Sequence, residues 1–303
     1  MRQGRRQRAR GRHSPEVRPR HRALGPAGDV GARPAALSDS HPGLRALASA
    51  AIAAVEPCAL LLRAIEQDLQ RDPSLFQSPV YVIAAGKAAE PMLRAFEQRV
   101  TPARSVLARG SHPLPDEESV RSGREALQLA REARDAGGEL VVLLSGGASA
   151  MLSAPAEGVT LDLKREVARR LLAAGAPIHD FNAVRKHLSQ IKGGRLAMDV
   201  RCTTFALSDV TDDDPAAIGS GPAVADPSTM GDAKRVLEGT GIAREMPEAI
   251  EAIERAGESP KPGDPRLSQS RFVLIGGRRT AMDGVVDEAL ARGLATIVFD
   301  EPI

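Results

Sequence analysis

Residues 139–150 read ELVVLLSGGASA, and this stretch decides the fold class. Leu140–Leu144 is a continuous run of leucine and valine, as expected for a strand that is covered on both faces of a sheet. Ser145–Ala150 follows as a turn whose glycines permit positive φ and a close approach of the backbone to other groups. A buried strand that ends in such a turn is typical of a parallel α/β sheet.

Similar junctions between strand and turn lie on both sides of this stretch. Residues 79–84 (PVYVIA) form a short apolar run that ends in Ala85-Gly86-Lys87, and residues 203–207 form a strand that runs into Ser208–Pro215. The remaining periodicity predicts strands at 106–108, 272–275 and 295–299, and helices at 44–55, 60–69, 88–100, 117–136, 161–174, 181–192, 232–238, 247–256 and 280–292.

Strands separated by helices predict an α/β fold, with a mostly parallel, Rossmann-like sheet and helices on both faces. Ligands bind such sheets at the carboxyl ends of the strands. The junctions at Lys87, at Ser145–Ser149 and at Asp209–Asp214 all lie at predicted carboxyl ends. We therefore expect a small phosphorylated or carboxylated metabolite to bind there.

The composition argues against several classes of protein. Of the 303 residues, 42% are hydrophobic, but none is Trp, one is Tyr and six are Phe, so platforms for stacking single-stranded nucleic acid are not expected. Cys58 and Cys202 have no metal or redox spacing and are expected to be buried in a reduced cytosol. From the sequence we expect that no stretch approaches the ~18 apolar residues of a membrane span. We expect a cytoplasmic protein with no membrane partner and no nucleic acid for its folded body; the oligomeric state, a homo-oligomer included, stays open.

The first 40 residues differ from the rest in charge. They hold ten arginines against three acidic residues, which leaves 31 basic and 36 acidic residues, a net charge of −5, in residues 41–303. The segment lacks hydrophobic periodicity and is predicted to be a disordered, Arg-rich tail. It could be a nucleic-acid-binding arm, an organelle transit peptide or upstream sequence from a misplaced start; we favour the third, because no amphipathic pattern is present.

The first two junctions have the residue types of an anion site. Lys87 follows the turn at Gly86, where a lysine can neutralise phosphate charge or activate a hydroxyl, although a solvated surface lysine explains it equally well. The glycines of the loop with Ser145, Gly146, Gly147 and Ser149 allow backbone N–H groups to form a nest for phosphate oxygens; a purely structural turn is the alternative. Neither junction has the Walker A or G-x-G-x-x-G pattern, which disfavours a conventional nicotinamide enzyme.

Residues 181–194 (FNAVRKHLSQIKGG) are the most informative stretch. On the predicted helix, Asn182, Arg185, Ser189 and Lys192 fall on one polar stripe beside the apolar one. No acidic residue occurs from 181 to 198, so the stripe is suited to bind phosphate or carboxylate. The alternative is a basic helix face that is simply exposed to solvent. The acidic residues of the third junction, including Asp209 and Asp213, are compatible with a Mg²⁺ site or with a hydrated loop.

Taken in order, these motifs resemble the class II glycerate kinases, the glycerate 2-kinase family that also carries the older label hydroxypyruvate reductase. The resemblance covers roughly residues 44–300, and its matching segments are Ala85–Ala88, His112–Asp116, Ser145–Ala150, Asn182–Ala197 and Ser208–Val210 with Asp213, Pro215 and Ser220–Pro222.

The resemblance implies ATP-dependent phosphorylation of the 2-hydroxyl of D-glycerate. Lys87 and Asp209 would be catalytic. The binding residues would be Gly86, Ser145, Gly146, Gly147, Ser149, Asn182, Arg185 and Lys192. Asp209, with Asp213, would hold Mg²⁺ or orient the attacking hydroxyl, so that the cofactors are ATP and Mg²⁺.

The resemblance also predicts the domain organisation. Residues 41–258 would form the N-terminal α/β domain of the family, and residues 259–303 would form a linker and a strand–helix–strand that begins a truncated C-terminal part. Motifs of that part are not found in the sequence, and Ala148 replaces a glycine that is common in the family. The competing functions are an NAD(P)-dependent hydroxypyruvate reductase and a non-catalytic anion-binding remnant.

Overall fold

The computed structural model describes residues 42–299, and their α/β architecture confirms the predicted fold class. The strands are β1 (Val80–Ala85), β2 (Arg104–Leu107), β3 (Glu139–Leu144), β4 (Arg201–Leu207) and β5 (Ser270–Gly276). The helices are α1 (Pro42–Ala54), α2 (Pro57–Arg71), α3 (Ala89–Glu97), α4 (Glu117–Asp135), α5 (Ala148–Met151), α6 (Leu161–Ala173), α7 (Ile178–His187), α8 (Met230–Gly239), α9 (Ile242–Glu245), α10 (Pro247–Ala256) and α11 (Arg278–Ala291).

The five strands in residues 42–299 form one sheet in the order β2-β1-β3-β4-β5, and every neighbouring pair is parallel. Successive side chains of a strand point to opposite faces. On β3, Leu140, Val142 and Leu144 join the core that includes α4, whereas Val141 and Leu143 join the core that includes α2 and α3. Both faces are thus covered by helices, which explains why β3 reads as an unbroken apolar run.

A third apolar cluster lies outside the sheet. It joins the helices α6, α7, α8 and α10 through side chains that are almost fully buried. Among them are Val167, Leu171, Phe181, Val184, Leu237 and Ile253. Helix α7 of this layer carries Asn182 and Arg185, two of the residues that the sequence singled out.

A buried ion pair fastens α7 to the segment that follows β4. The Lys186 ammonium donates to Asp226 Oδ1 at 2.9 Å, and the two side chains are 5% and 0% exposed. Asp226 also accepts hydrogen bonds from the hydroxyls of Ser228 and Ser259, both at 2.7 Å. Burial by itself raises the pKa of the Asp226 carboxyl, but Lys186 and these hydroxyls outweigh it and hold the pKa below its ordinary value.

The helix predicted from Phe181 to Lys192 is wrong at both ends. It begins at Ile178 after Pro177, and it ends at His187. Beyond that point the backbone pairs with a distant segment, because Ala156 N donates to Leu188 O at 3.1 Å and Gln190 N donates to Ala154 O at 2.9 Å. These tertiary hydrogen bonds replace the helical ones, so Lys192 leaves the face that it was predicted to share with Asn182, and Gly193 does not close the helix.

Three further predictions are corrected or left outside the described residues. Residues 295–299, predicted as a strand, pair with no strand among residues 42–299 and therefore form no ladder. Cys202 is buried as expected, but Cys58 is partly exposed. The Arg-rich tail, residues 1–40, lies outside the described part of the chain. The proposed domain boundary at residue 258 stays a prediction. Strand β5, which follows this boundary, pairs directly with β4, which precedes it.

One stretch among residues 42–299, Pro42–Arg71, is long and apolar enough by composition to cross a membrane. This finding corrects the expectation that no stretch comes near that length. The stretch is divided into α1 and α2, because the helical structure is interrupted before Pro57. Leu61 and Ile65 of α2 are buried in the core with α3 and the sheet, whereas α1 packs along α11 with no fully buried side chain.

The buried pair between α7 and Asp226 predicts a large change in stability. Asp226→Asn leaves the Lys186 ammonium buried without a carboxylate, and we expect a loss of about 3–5 kcal/mol in the free energy of unfolding, measured with urea. Glu90→Gln is the control, since it removes an exposed pair with Arg94 and should cost less than about 1 kcal/mol. Equal effects of the two substitutions would contradict this assignment.

Candidate active site

The order of the strands creates a crevice at the carboxyl ends of β1 and β3. In chain order, β1 is followed by β2 on one side of it in the sheet, and β3 then lies on its other side. The connections therefore diverge between β1 and β3, and such a switch point is where doubly wound sheets bind ligands. Lys87 follows β1 and Ser145–Ser149 follows β3, so two of the three predicted junctions border this crevice.

These two junctions are joined by direct hydrogen bonds. The backbone N–H of Lys87 donates to Gly146 O at 2.9 Å, and the N–H of Ala88 donates to Ser145 Oγ at 2.9 Å. Gly86 lies so close to Ser145 that a Cβ on Gly86 would overlap its backbone and hydroxyl. The glycine is needed there for space as well as for its φ of +113°.

The third junction meets the second one at Gly146. A Cβ on Gly146 would collide with the carboxylate of Asp209, so these two residues are in contact. The register between β4 and β5 shifts between Ala206 and Leu207, two residues before Asp209. Irregular pairing of this kind is common beside functional sites. Asp209 also lines a cleft of about 330 Å³ together with Gly277 and Arg278 at the start of α11.

The loop after β3 presents unused hydrogen-bond donors. Among the residues that the structure describes, the backbone N–H groups of Gly146, Gly147 and Ser149 donate to no acceptor of the protein. Gly147 has a φ of +88°, a left-handed conformation that occurs in anion-binding nests, while the N–H of Ala148 is already used, since it donates to Ser145 O at 3.2 Å. The free N–H groups of Gly146, Gly147 and Ser149 are thus available to a ligand.

Positive side chains surround the loop. The Cγ of Lys87 lies 3.6 Å, and the Cδ2 of His112 3.4 Å, from the position of a Cβ on Gly147. Burial, followed by the charges of Lys87 and Arg185, lowers the pKa of His112, and the carboxylate of Asp209 opposes this shift. Within residues 42–299, neither the Lys87 ammonium nor the Arg185 guanidinium has a carboxylate partner.

Lys192 and Asn182 lie behind the loop in a buried polar network. The ammonium of Lys192 donates to the carbonyl oxygens of Ser149, Gly219 and Leu152 at 2.8, 3.4 and 3.5 Å, and to Ser149 Oγ at 3.1 Å. The hydroxyls of Ser149 and Ser220 are 2.6 Å apart, and Ser220 donates to Asn182 Oδ1 at 2.8 Å. Lys192 therefore holds the loop from behind.

The predicted polar stripe is thus divided among three environments. Asn182 and Lys192 belong to the buried network, while Ser189 donates to the carbonyl of Ala154 at 3.1 Å. The Cζ of Arg185 stacks 4.9 Å from the centre of the Phe181 ring. The structure brings Arg185 into the electrostatic surroundings of His112 and the loop. The direct binding roles given to Asn182 and Lys192 stay predictions.

The two aspartates predicted to hold Mg²⁺ can be tested against their surroundings. Asp213 packs against Gly277, and its Oδ1 is buried without a hydrogen-bond partner, which is the kind of atom that a cation satisfies. Residues 42–299 contain no group of three or more metal-ligating side chains. This donor set fits Mg²⁺ better than a metal that needs a full protein cage, because Mg²⁺ commonly keeps water and phosphate oxygens beside one or two carboxylates.

Sequence reasoning missed two parts of this region. The turn Gly276-Gly277 was given no role, yet Gly277 lines the cleft beside Asp209. Lys164 was not singled out, although it is 95% buried on α6. A signal was available, because Lys164 shares the helical face of Val167, Ala168 and Leu171 and so places a lysine on an apolar stripe.

Sequence comparison relates the chain to a defined family. A family model described as a domain of unknown function, DUF4147, matches residues 43–254. Glycerate 2-kinase of Pyrococcus horikoshii is 35% identical over 85% of this chain and 64% of its own length. D-Glycerate 2-kinase of Thermotoga maritima is 35% identical over 76% and 58%, and a putative hydroxypyruvate reductase of Agrobacterium vitis is 33% identical over 86% and 61%.

Solved structures agree with this relation. A Pyrococcus horikoshii protein superposes with a TM-score of 0.71 and 35% identity, covering 83% of this chain and 63% of that one. Glycerate kinase of Thermotoga maritima gives a TM-score of 0.66 and 31% identity, covering 82% and 62%. The chain therefore spans less than two thirds of the length of these relatives.

The contact between Gly146 and Asp209 predicts that one methyl group added at Gly146 lowers stability and ligand binding. Gly146→Ala must displace the Asp209 carboxylate, so we expect lower stability and a weaker response of the melting temperature to inorganic pyrophosphate. Gly239→Ala is the matched control, since nothing lies within 4 Å of its Cβ and alanine favours the end of α8. Thermal unfolding with and without pyrophosphate measures both; a normal pyrophosphate response in Gly146→Ala would refute the prediction.

Proposed function

We propose, from the premise that the chain belongs to the DUF4147 family of glycerate 2-kinases and putative hydroxypyruvate reductases, that it phosphorylates the 2-hydroxyl of D-glycerate with ATP as donor. The specific activity is our inference; the family membership is the finding on which it is based.

The proposal is based on one observation: in the described part of the chain, free backbone N–H groups and cationic side chains without a carboxylate partner lie next to each other at the switch point. The N–H groups of Gly146, Gly147 and Ser149 lie beside the Lys87 side chain, and none of these donors has a protein acceptor among residues 42–299. A phosphoryl group in transfer carries its negative charge on several oxygens, and catalysis of this reaction depends mainly on positioning and charge stabilisation. The loop and Lys87 supply both.

Asp209 is the acidic member of the site. Its carboxylate touches Gly146, so it faces the same loop that would hold the phosphates. In that position it can accept a hydrogen bond from the substrate hydroxyl and orient it, or it can share a cation with Asp213. When bound, Mg²⁺ would neutralise phosphate charge. We keep a cytoplasmic location as part of the proposal.

The role of Lys192 differs from the one proposed for Lys87. Its ammonium is enclosed by carbonyl oxygens and fixes the backbone of Ser149 relative to that of Gly219. The nest would then be organised before the ligand arrives, which lowers the entropic cost of binding.

The activity is tested by incubating the protein with D-glycerate and Mg-ATP and detecting 2-phosphoglycerate through enolase. NADH oxidation with hydroxypyruvate is followed in parallel. We expect a signal in the first assay and none in the second, since neither loop has a dinucleotide fingerprint. NADH oxidation alone would favour the reductase, and silence in both assays would favour an anion-binding protein without this activity.

Two substitutions test the assigned roles. Lys87→Ala removes a cation from the reacting phosphoryl group, and we expect kcat to fall by about 10²-fold or more. Asp209→Asn should lower kcat to a similar extent. Lys234→Ala, in an ion pair with Glu254 on α8 and α10, is the control and should leave kcat unchanged. Near-normal turnover of Lys87→Ala would show that Lys87 is not catalytic.

A further inference from the structure

A small cavity adjoins the loop after β3 on the side of the helical layer. It lies between α6, α7 and the turn that follows His112, and it has room for about 20 Å³, roughly one water-sized group. Its lining is mainly apolar and includes Pro113, Val167 and Phe181, but Lys164, Arg185 and Ser149 also border it.

Lys164 is the unusual member of this lining. It is 5% exposed, and within residues 42–299 its ammonium has a single acceptor, the carbonyl of Leu188 at 3.4 Å. The charged groups that face it are Arg185 and, further away, Lys192, both positive. No carboxylate within residues 42–299 pairs with it. A buried ammonium in this position is costly unless an anion compensates it.

The cavity shares part of its wall with the candidate active site. Ser149 belongs both to the anion-binding loop and to the cavity wall. Pro113 of the wall follows His112, whose ring lies beside Gly147. One small ligand can therefore have one end against the loop and the other end in the cavity.

We propose that Lys164 and Arg185 form a carboxylate subsite, which receives the acid group of a small 2-hydroxy acid whose hydroxyl faces Lys87 and Asp209. Two cations without an acidic partner among residues 42–299 select an anion, and the cavity has room for one carboxylate oxygen but not for a tetrahedral phosphate. The orientation of the hydroxyl rests on the proposed function, whereas carboxylate binding itself needs no phosphoryl transfer.

The subsite has a characteristic pH dependence. Burial, assisted by the charge of Arg185, lowers the pKa of Lys164 to about 7. The protonated lysine is the form that attracts a carboxylate, so affinity is highest below this pKa and falls as pH rises through it. Lys164→Arg remains charged over the same range and should bind with a flatter pH profile.

The experiment is isothermal titration of the full chain with D-glycerate between pH 6 and pH 8.5, with and without the non-hydrolysable ATP analogue Mg-AMP-PNP. We expect Lys164→Met to lower the affinity for D-glycerate at least tenfold. Lys164→Arg should retain binding, and its affinity should depend less on pH. Inorganic pyrophosphate, which probes the loop, should bind Lys164→Met as it binds the wild type. Lys234→Met, on the surface of α8, is the matched lysine control and should change neither affinity.

Several outcomes would overturn the subsite. These are unchanged D-glycerate affinity in Lys164→Met, an equal loss of pyrophosphate binding, or no D-glycerate binding by the wild type under either condition. Kinase activity with an unchanged KM for D-glycerate in Lys164→Met would reject the subsite and leave the proposed function in place. D-Glycerate binding that depends on Lys164, without kinase activity, would support the subsite and reject the proposed function. Circular dichroism of each variant verifies that it is folded. If Lys164→Met does not fold, the pH profile of Lys164→Arg still tests the subsite.

Discussion

The buried ammonium of Lys192 connects the parts of the site that lie far apart in the chain. It donates to the carbonyl oxygens of Ser149 and Leu152 after β3 and of Gly219 after β4. Burial, together with nearby Arg185, Lys164 and Lys186, lowers its pKa well below the usual value, while the surrounding carbonyls favour the charged form. The position of the loop after β3 therefore depends on a lysine whose hydrogen bonds all go to the protein itself.

This arrangement also explains the charge balance of the region. The folded part of the chain is mildly acidic, yet Lys87, Lys164 and Arg185 have no acidic partner among the described residues. Lys186 differs, because its charge is neutralised by Asp226. Within residues 42–299, Lys164 and Arg185 therefore remain as cations without an acidic partner beside a loop with free N–H groups, and the proposed anion site is based on this arrangement.

Much of the architecture was predictable because it depends on local pattern. Apolar runs without alternation predicted strands covered on both faces, and the helices between them predicted the parallel order. The contact of Lys87 with Gly146 and of Asp209 with the same glycine follows from that order. The end of α7 was not predictable, since Leu188 and Gln190 exchange helical hydrogen bonds for bonds to residues 154–156. Residues 295–299 have strand-like composition, but a strand exists only where a ladder partner is present.

The sequence by itself determined the strand-to-turn junctions, the glycines that allow them and the family to which the chain belongs. Only the tertiary structure decided which charged side chains are buried and which face the crevice. The sequence places Lys164 on an apolar helical stripe and Lys192 on a polar one, but only the fold shows that Lys164 lines an apolar cavity and that Lys192 holds two loops. The physical reason is that the partners of a buried charge come from segments distant in the chain, and local periodicity does not identify those partners.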